Sequence, residues 1–224
     1  MKIDILTLFP KMFDGFLSES IIKRAINNKK VSINVIDFRE YSLLNNKQVD
    51  DTPYGGGAGM VLMCEPVVRA IEDLKTSDSL VILTTPQGKV YNEKITYELK
   101  NYKHLIIICG HYEGYDERIR SFVDLELSIG DYVLTGGEIP AMAIVDSITR
   151  LIPGVINKES YEEDSFTNNL LDYPTYTKPA SFRGLDVPEV LLSGNHAKIK
   201  EYRKKMQLER TKERRPDLLE DNDD

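Results

Sequence analysis

The chain has 224 residues, with 29 lysines and arginines against 36 aspartates and glutamates, a net charge of −7. Hydrophobic residues at 41% and charged residues at 29% describe a folded globular protein, which excludes disorder and fibrous repeats. The length suits one large domain, or one domain with a smaller appendage, and the acidic balance, taken alone, argues against a nucleic-acid partner.

Residues 2–9 (KIDILTLF) are apolar and partly β-branched and predict a buried first strand. Pro10 opens a predicted helix with Phe13, Phe16, Leu17, Ile21 and Ala25 on its apolar face. A second strand is expected over 31–37, and a polar, glycine-rich stretch from about 45 to 60 ends in YGGGAGM. Helix is predicted over 65–74, strand over 79–85, and helix over 91–99. The run HLIIICG (104–110) has no polar residue between Leu105 and Cys109, as in a strand of a parallel sheet covered on both faces. A helix-like segment (116–123) precedes ELSIGDYVLTGGE, and a long helix is expected over 139–151. This alternation predicts an α/β class with a mostly parallel sheet. Residues 156–178 lack periodicity and predict a mobile linker. Ser193-Gly194-Asn195 can cap a helix starting near His196, with Ile199, Tyr202 and Met206 on one face, in a small helical C-terminal domain.

Cys64 and Cys109 are too few and too far apart for a redox pair or a zinc site, and their apolar contexts predict buried free thiols. No apolar run approaches the ~20 residues that span a bilayer. The N-terminal segment lacks the features of a signal peptide, so a cytoplasmic location is expected.

Three glycine-bearing loops stand at the ends of predicted buried strands: TPQG (85–88), GHYEG (110–114) and IGDYVLTGGE (129–138). In an open parallel sheet, ligands bind outside the carboxyl ends of the strands, and glycine lets the backbone approach them closely. A phosphate-binding P-loop is not expected because Gly88-Lys89 is followed by Val90, and neither G-x-G-x-x-G after a strand nor G-x-S-x-G occurs. With three histidines and no H-E-x-x-H, a zinc hydrolase is not expected. What remains is a nucleotide-like ligand held by backbone amides and carbonyls.

Charge is segregated along the chain. Residues 1–197 carry −8 and residues 216–224 carry −5, but 198–215 hold nine lysines and arginines against three glutamates, a local +6. A dense cationic helix suits phosphates, although charge runs of this kind also occur as solvated faces laced by i,i+4 ion pairs such as Glu201 with Lys205. The linker holds Glu162, Glu163 and Asp164, and Arg150 ends the long helix before it.

YGGGAGM, TPQG, CGHYEGYDER, SIGDYVLTGGE, TRLIPGV, EEDSF, LLDYPTYTKP, VLLSGNHAKI and RRPDLL resemble, in order, the motifs of bacterial tRNA (guanine-N(1))-methyltransferases, from Met1 to about Leu219. The resemblance implies a SPOUT-class α/β domain, with a parallel sheet and a deep trefoil knot, over 1–155. It further implies a mobile linker over 156–178, a helical tRNA-binding domain over 179–224, and a homodimer with active sites at the subunit interface.

By the same resemblance, S-adenosylmethionine would be held by Thr85, Pro86, Gly110, Tyr112, Glu113, Ile129, Gly130, Asp131, Tyr132, Val133, Leu134, Gly136, Gly137 and Pro140. Asp164 would be the base and Arg150 its partner, in methyl transfer to N(1) of guanosine 37 of tRNA. The tRNA would also meet Ser165, His196, Arg203, Lys204, Arg214 and Arg215, and magnesium is associated with the reaction. No protein metal ligands are expected. This chain departs from the family's common pattern with Thr85 for serine, His111 for arginine and Ala58 for proline, small changes at backbone-dominated positions. Another SPOUT methyltransferase would lack the EDSF and LSGNH segments, and an RNA-binding module without catalysis would be expected to lose Asp164 or Arg150; all are present.

Overall fold

Five strands build one parallel sheet in the order β2-β1-β6-β5-β7, from β1 (Lys2–Thr7), β2 (Ser32–Asp37), β5 (Ser79–Val90), β6 (His104–Cys109) and β7 (Leu125–Ser128). The computed structural model describes residues 1–157, 161 and 164–220, and the chain divides into units Met1–Ile156 and Asn157–Asp224. Glu162, Glu163 and residues 221–224 of the acidic tail lie outside the described residues.

β6 is wholly buried, as its unbroken apolar run predicts. Its period-2 alternation sends Leu105, Ile107 and Cys109 into one core and Ile106 and Ile108 into the other. The first core is closed by α2 (Ser20–Asn27), α4 (Glu93–Leu99) and α5 (Glu138–Arg150), the second chiefly by α3 (Cys64–Leu74). Each fully buried Ile or Leu contributes roughly 1.5–3 kcal/mol, so the sheet is a rigid base for the loops at its ends. Cys109 is buried and Cys64 half-buried, and burial pushes both thiols up.

Three local departures from the sequence pattern have physical causes. The helix expected from Pro10 is broken into a 3₁₀ turn (Pro10–Phe13), α1 (Asp14–Ser18) and α2, because Glu19 is extended and Ser20 has φ of +51°. The Ser18 hydroxyl donates to the Gly15 carbonyl at 3.4 Å, and the phase reset buries Ile22 and Ala25 while Ile21 stays half-exposed. Residues 117–122 form a 3₁₀ helix capped by Asp116, whose carboxylate accepts the Arg118 amide. β5 continues past Thr84: Thr84 and Lys89 both pair with Leu127, so residues 85–88 arch out of the strand instead of ending it. A short hairpin, β3 (Asp50–Asp51) with β4 (Val61–Leu62), flanks the glycine-rich loop.

The second unit is built on α7 (His196–Arg214), where the Asn195 side chain accepts the Lys198 amide as the expected cap. It also holds a hairpin, β8 (Ser181–Phe182) with β9 (Leu185–Asp186), and a single turn, α6 (Glu189–Leu192). Ile199, Tyr202 and Met206 are half-buried, and Thr211 is the fully buried residue of α7. The Thr211 hydroxyl accepts the Leu171 amide at 2.8 Å, and Arg210 donates to the Asp172 carbonyl at 3.1 Å. Leu171 and Asp172, in the stretch that reads as aperiodic, are therefore tied to α7 by side chain–backbone bonds, which leave no hydrophobic period. No helix among the described residues is long and apolar enough to cross a membrane.

Candidate functional site

The carboxyl ends of β5, β6 and β7 open into a cavity of about 310 Å³. Its walls are the arch of β5, the loop 110–115 after β6, and the segment 129–137 after β7, with Pro140 from α5. This is where a parallel sheet offers backbone groups to a ligand, and the volume falls within the range of small-molecule sites.

Backbone contacts fix the loops. The segment after β6 is held on one side by β4, through Glu113 N–H to the Met60 carbonyl (3.0 Å) and Leu62 N–H to the Gly114 carbonyl (3.0 Å). On the other side, Gly137 N–H donates to the Gly110 carbonyl at 2.8 Å, and His111 bridges to Gly136. Tyr112 sits at φ +59°, a conformation that costs a non-glycine residue free energy and concentrates at functional sites. The His111 Nδ1 accepts the Tyr112 amide at 2.9 Å, which puts a neutral ring's proton on Nε2. At Gly137 a Cβ would come 2.7 Å from the Cys109 Cα and also strike the Thr84 hydroxyl, so the turn into α5 can pass this close only as glycine. Beneath it the Glu138 side chain is buried, accepting the Thr7 hydroxyl at 2.7 Å.

Of the residues expected to hold the cofactor, Thr85, Pro86, Gly110, Tyr112, Glu113, Ile129, Gly130, Tyr132, Val133, Leu134, Gly136, Gly137 and Pro140 all line this cavity. Asp131 is exposed and outside the lining. Gln87, His111, Tyr115, Glu117, Ser128 and Thr135 also line it, although none was among the residues expected to hold the cofactor. All six lie within or beside the runs selected from the sequence, and their interleaving follows from the arch and the turns rather than from a local pattern.

Arg150 ends α5 and is half-buried in the first unit, whereas Asp164 and Ser165 are half-buried in the second. The Asp164 carbonyl accepts the Thr167 amide, and the Ser165 hydroxyl accepts the Asp172 amide at 3.0 Å. His196, Arg203, Lys204, Arg214 and Arg215 are exposed on α7 or at its end. The Arg203 guanidinium lies 4.6 Å from the Tyr173 ring centre, and that of Arg215 lies 5.7 Å from Phe166. Arg215 also pairs with Asp217 at 2.7 Å, and this pairing holds the Asp217 carboxyl below the ordinary range.

The family described as tRNA (Guanine-1)-methyltransferase TrmD matches residues 1–221. A tRNA (guanine-N(1)-)-methyltransferase of Fusobacterium nucleatum is 60% identical over 224 residues, all of this chain and 93% of its own. Proteins of the same name from Malacoplasma penetrans and Mycoplasma capricolum are 59% and 58% identical, over 98% of this chain and 97% and 92% of theirs.

Proposed function

The chain belongs to the tRNA (guanine-1)-methyltransferase family, and from that premise we propose that it transfers a methyl group from S-adenosylmethionine to N(1) of guanosine 37 of tRNA. The observation that carries this reading is the cavity: loops selected by a methyltransferase resemblance converge on one site at the strand ends. Its lining fits the donor. Backbone from three loops suits an adenine and ribose, and Glu113 and Glu117 offer carboxylates to hydroxyl or ammonium groups.

A bound sulfonium supplies an electrophilic methyl group, so the protein's task is alignment and proton removal. Guanine N(1) carries a proton and becomes a nucleophile as that proton leaves. Asp164 accepts it, a role worth on the order of 10²–10⁴ in rate, while Arg150 stabilises the negative charge growing on guanine O6. The reading requires bulk water to be excluded around Asp164 while the proton is removed.

In this reading residues 1–155 form the catalytic domain, with Asp131 beside the donor segment; 156–178 are the linker that carries Asp164, and 179–224 hold the tRNA. Ser165, His196, Arg203, Lys204, Arg214 and Arg215 are the RNA contacts. The path through the arch of β5 and on to α5 is read as the trefoil knot of the SPOUT class. The family match supports it. The protein works as a homodimer in the cytoplasm, where its tRNA is. Magnesium is given no step.

The test is methyl transfer from labelled S-adenosylmethionine to tRNA transcripts bearing guanosine or adenosine at position 37, followed by nucleoside identification. N(1)-methylguanosine from the first transcript alone is expected, and any other methylated nucleoside overturns the assignment. Asp164→Asn should lower turnover about 10²–10⁴-fold while donor binding persists; near-normal turnover would remove Asp164 from the base role.

A further inference from the structure

The arch of β5 poses a mechanical problem. Residues 85–88 sit between two residues that pair with the same partner, Leu127, so the arch has no ladder bonds of its own. Yet Thr85, Pro86 and Gln87 line the cavity and must keep their places for a ligand to be recognised. One foot is held by close packing, since a Cβ on Gly88 would come 2.5 Å from the Glu126 and Leu127 backbone. The crown needs another tie.

Arg120, on the 3₁₀ helix Glu117–Phe122, reaches the arch of β5, the loop after β6 and strand β7. Its Nη2 donates to the Gln87 side-chain oxygen at the crown of the arch and, at 3.4 Å, to the Tyr115 hydroxyl of the loop after β6. The same nitrogen lies 3.2 Å from Glu126 on β7, and Nη1 donates to Glu117 at 2.8 Å. The planar guanidinium offers several donors in fixed geometry, which a lysine ammonium cannot reproduce. Two carboxylates keep the cation in place, and the bond with Tyr115 further favours its charged form.

We propose that Arg120 is a positioning residue for the methyl donor: it braces the crown of the arch against the loop after β6 and against β7, and so presets the donor cavity. It acts through Gln87 and Tyr115, both of which line that cavity. The proposal rests on the reading of the cavity as the S-adenosylmethionine site.

The experiment compares wild type, Arg120→Ala, Arg120→Lys, Gln87→Ala and the Arg120→Ala/Gln87→Ala double variant. S-adenosylmethionine titrations are paired with steady-state kinetics and with hydrogen exchange at the amides of Thr85, Gln87 and Gly88. Arg120→Ala should raise the KM and Kd for the donor about tenfold, the size of one lost charge-assisted hydrogen bond. Turnover at saturating donor and the KM for tRNA should stay within about twofold, because the lost interaction serves donor binding alone. Arg120→Lys should recover part of the loss, and the double variant should be little worse than Arg120→Ala, because the two side chains act as one unit. The arch amides should exchange faster in ligand-free Arg120→Ala while those of β6 do not change.

Unchanged donor affinity, fully additive effects, or a parallel loss of turnover, tRNA affinity and thermal stability would each overturn the brace. If wild type binds no S-adenosylmethionine, the reading of the cavity fails. The exchange arm then decides the brace alone: unchanged arch amides overturn it, and faster ones uphold it.

Discussion

The two ends of the parallel sheet use polar groups in opposite ways. At the amino end, Asp4 is fully buried and every partner it needs is at hand: Lys2 at 2.7 Å, Asn34 at 2.7 Å and His104 at 2.8 Å, with His104 bonded in turn to Ser79 at 2.7 Å. At the carboxyl end, glycines, a strained Tyr112 and an arch without ladder bonds surround an open cavity. A satisfied buried network rigidifies, whereas backbone left available to a ligand has to be supported from outside. One end anchors the fold, and the other keeps geometry in reserve for binding.

The hardest break of this contrast is at Gly137, where the functional end is as tightly packed as the core. The atoms a Cβ would meet include the Cys109 Cα and the Gly110 nitrogen, both 2.7 Å away, and backbone cannot swing aside. Gly137→Ala should destabilise the first unit by about 3 kcal/mol and lower Tm by roughly 6–12 °C, with loss of donor binding. A wild-type melting curve would show that the turn into α5 has room the geometry denies it.

Next comes the anchoring end. Asp4→Asn should cost about 2 kcal/mol through weakened charge-assisted bonds, read as a Tm lower by roughly 4–8 °C, with donor affinity unchanged. Burial alone would push the Asp4 carboxyl up, but the hydrogen bonds from Lys2, Asn34 and His104 outweigh it and hold the group below its ordinary range. A depressed folded pKa stabilises above the unfolded value of about 3.9. That stabilisation is lost as pH falls through the folded pKa. Melting curves from about pH 6 down to 3 should therefore be flatter for Asp4→Asn than for wild type. Equal slopes would mean that the network contributes no pH-dependent stability.

Local chemistry made part of this molecule readable. The 104–109 strand announces itself because no polar residue interrupts it, and the cavity loops because glycines cluster where buried strands end. The cap at Asn195 needs only three residues to recognise. What escaped is non-local or breaks a period. Arg120 meets Gln87 across 33 positions and His104 meets Asp4 across 100, separations at which no window of sequence carries a signal. TPQG reads as a turn ending a strand because nothing in it reveals that Lys89 rejoins the same partner as Thr84. Charge behaves likewise: the net −7 concealed a +6 helix until it was read by segment.

That helix gives the smallest expected effect on the fold. Lys204 and Lys205 are exposed, and the Lys205–Glu209 contact is 3.8 Å long on the surface, a pair of little value to stability. Lys204→Gln with Lys205→Gln should therefore leave stability within about 0.5 kcal/mol of wild type, and the cavity at the strand ends unaffected. If α7 holds tRNA by its phosphates, the same pair of changes should weaken tRNA binding. The slope of log affinity against log salt should also fall, by about 0.9 for each phosphate that is no longer neutralised. Arg203 is better left intact in this variant, since its guanidinium stacks on Tyr173 and its removal would mix packing with charge. A salt slope equal to wild type's, measured by titration at several salt concentrations, would turn the cationic face of α7 into a solvated surface and move tRNA docking elsewhere.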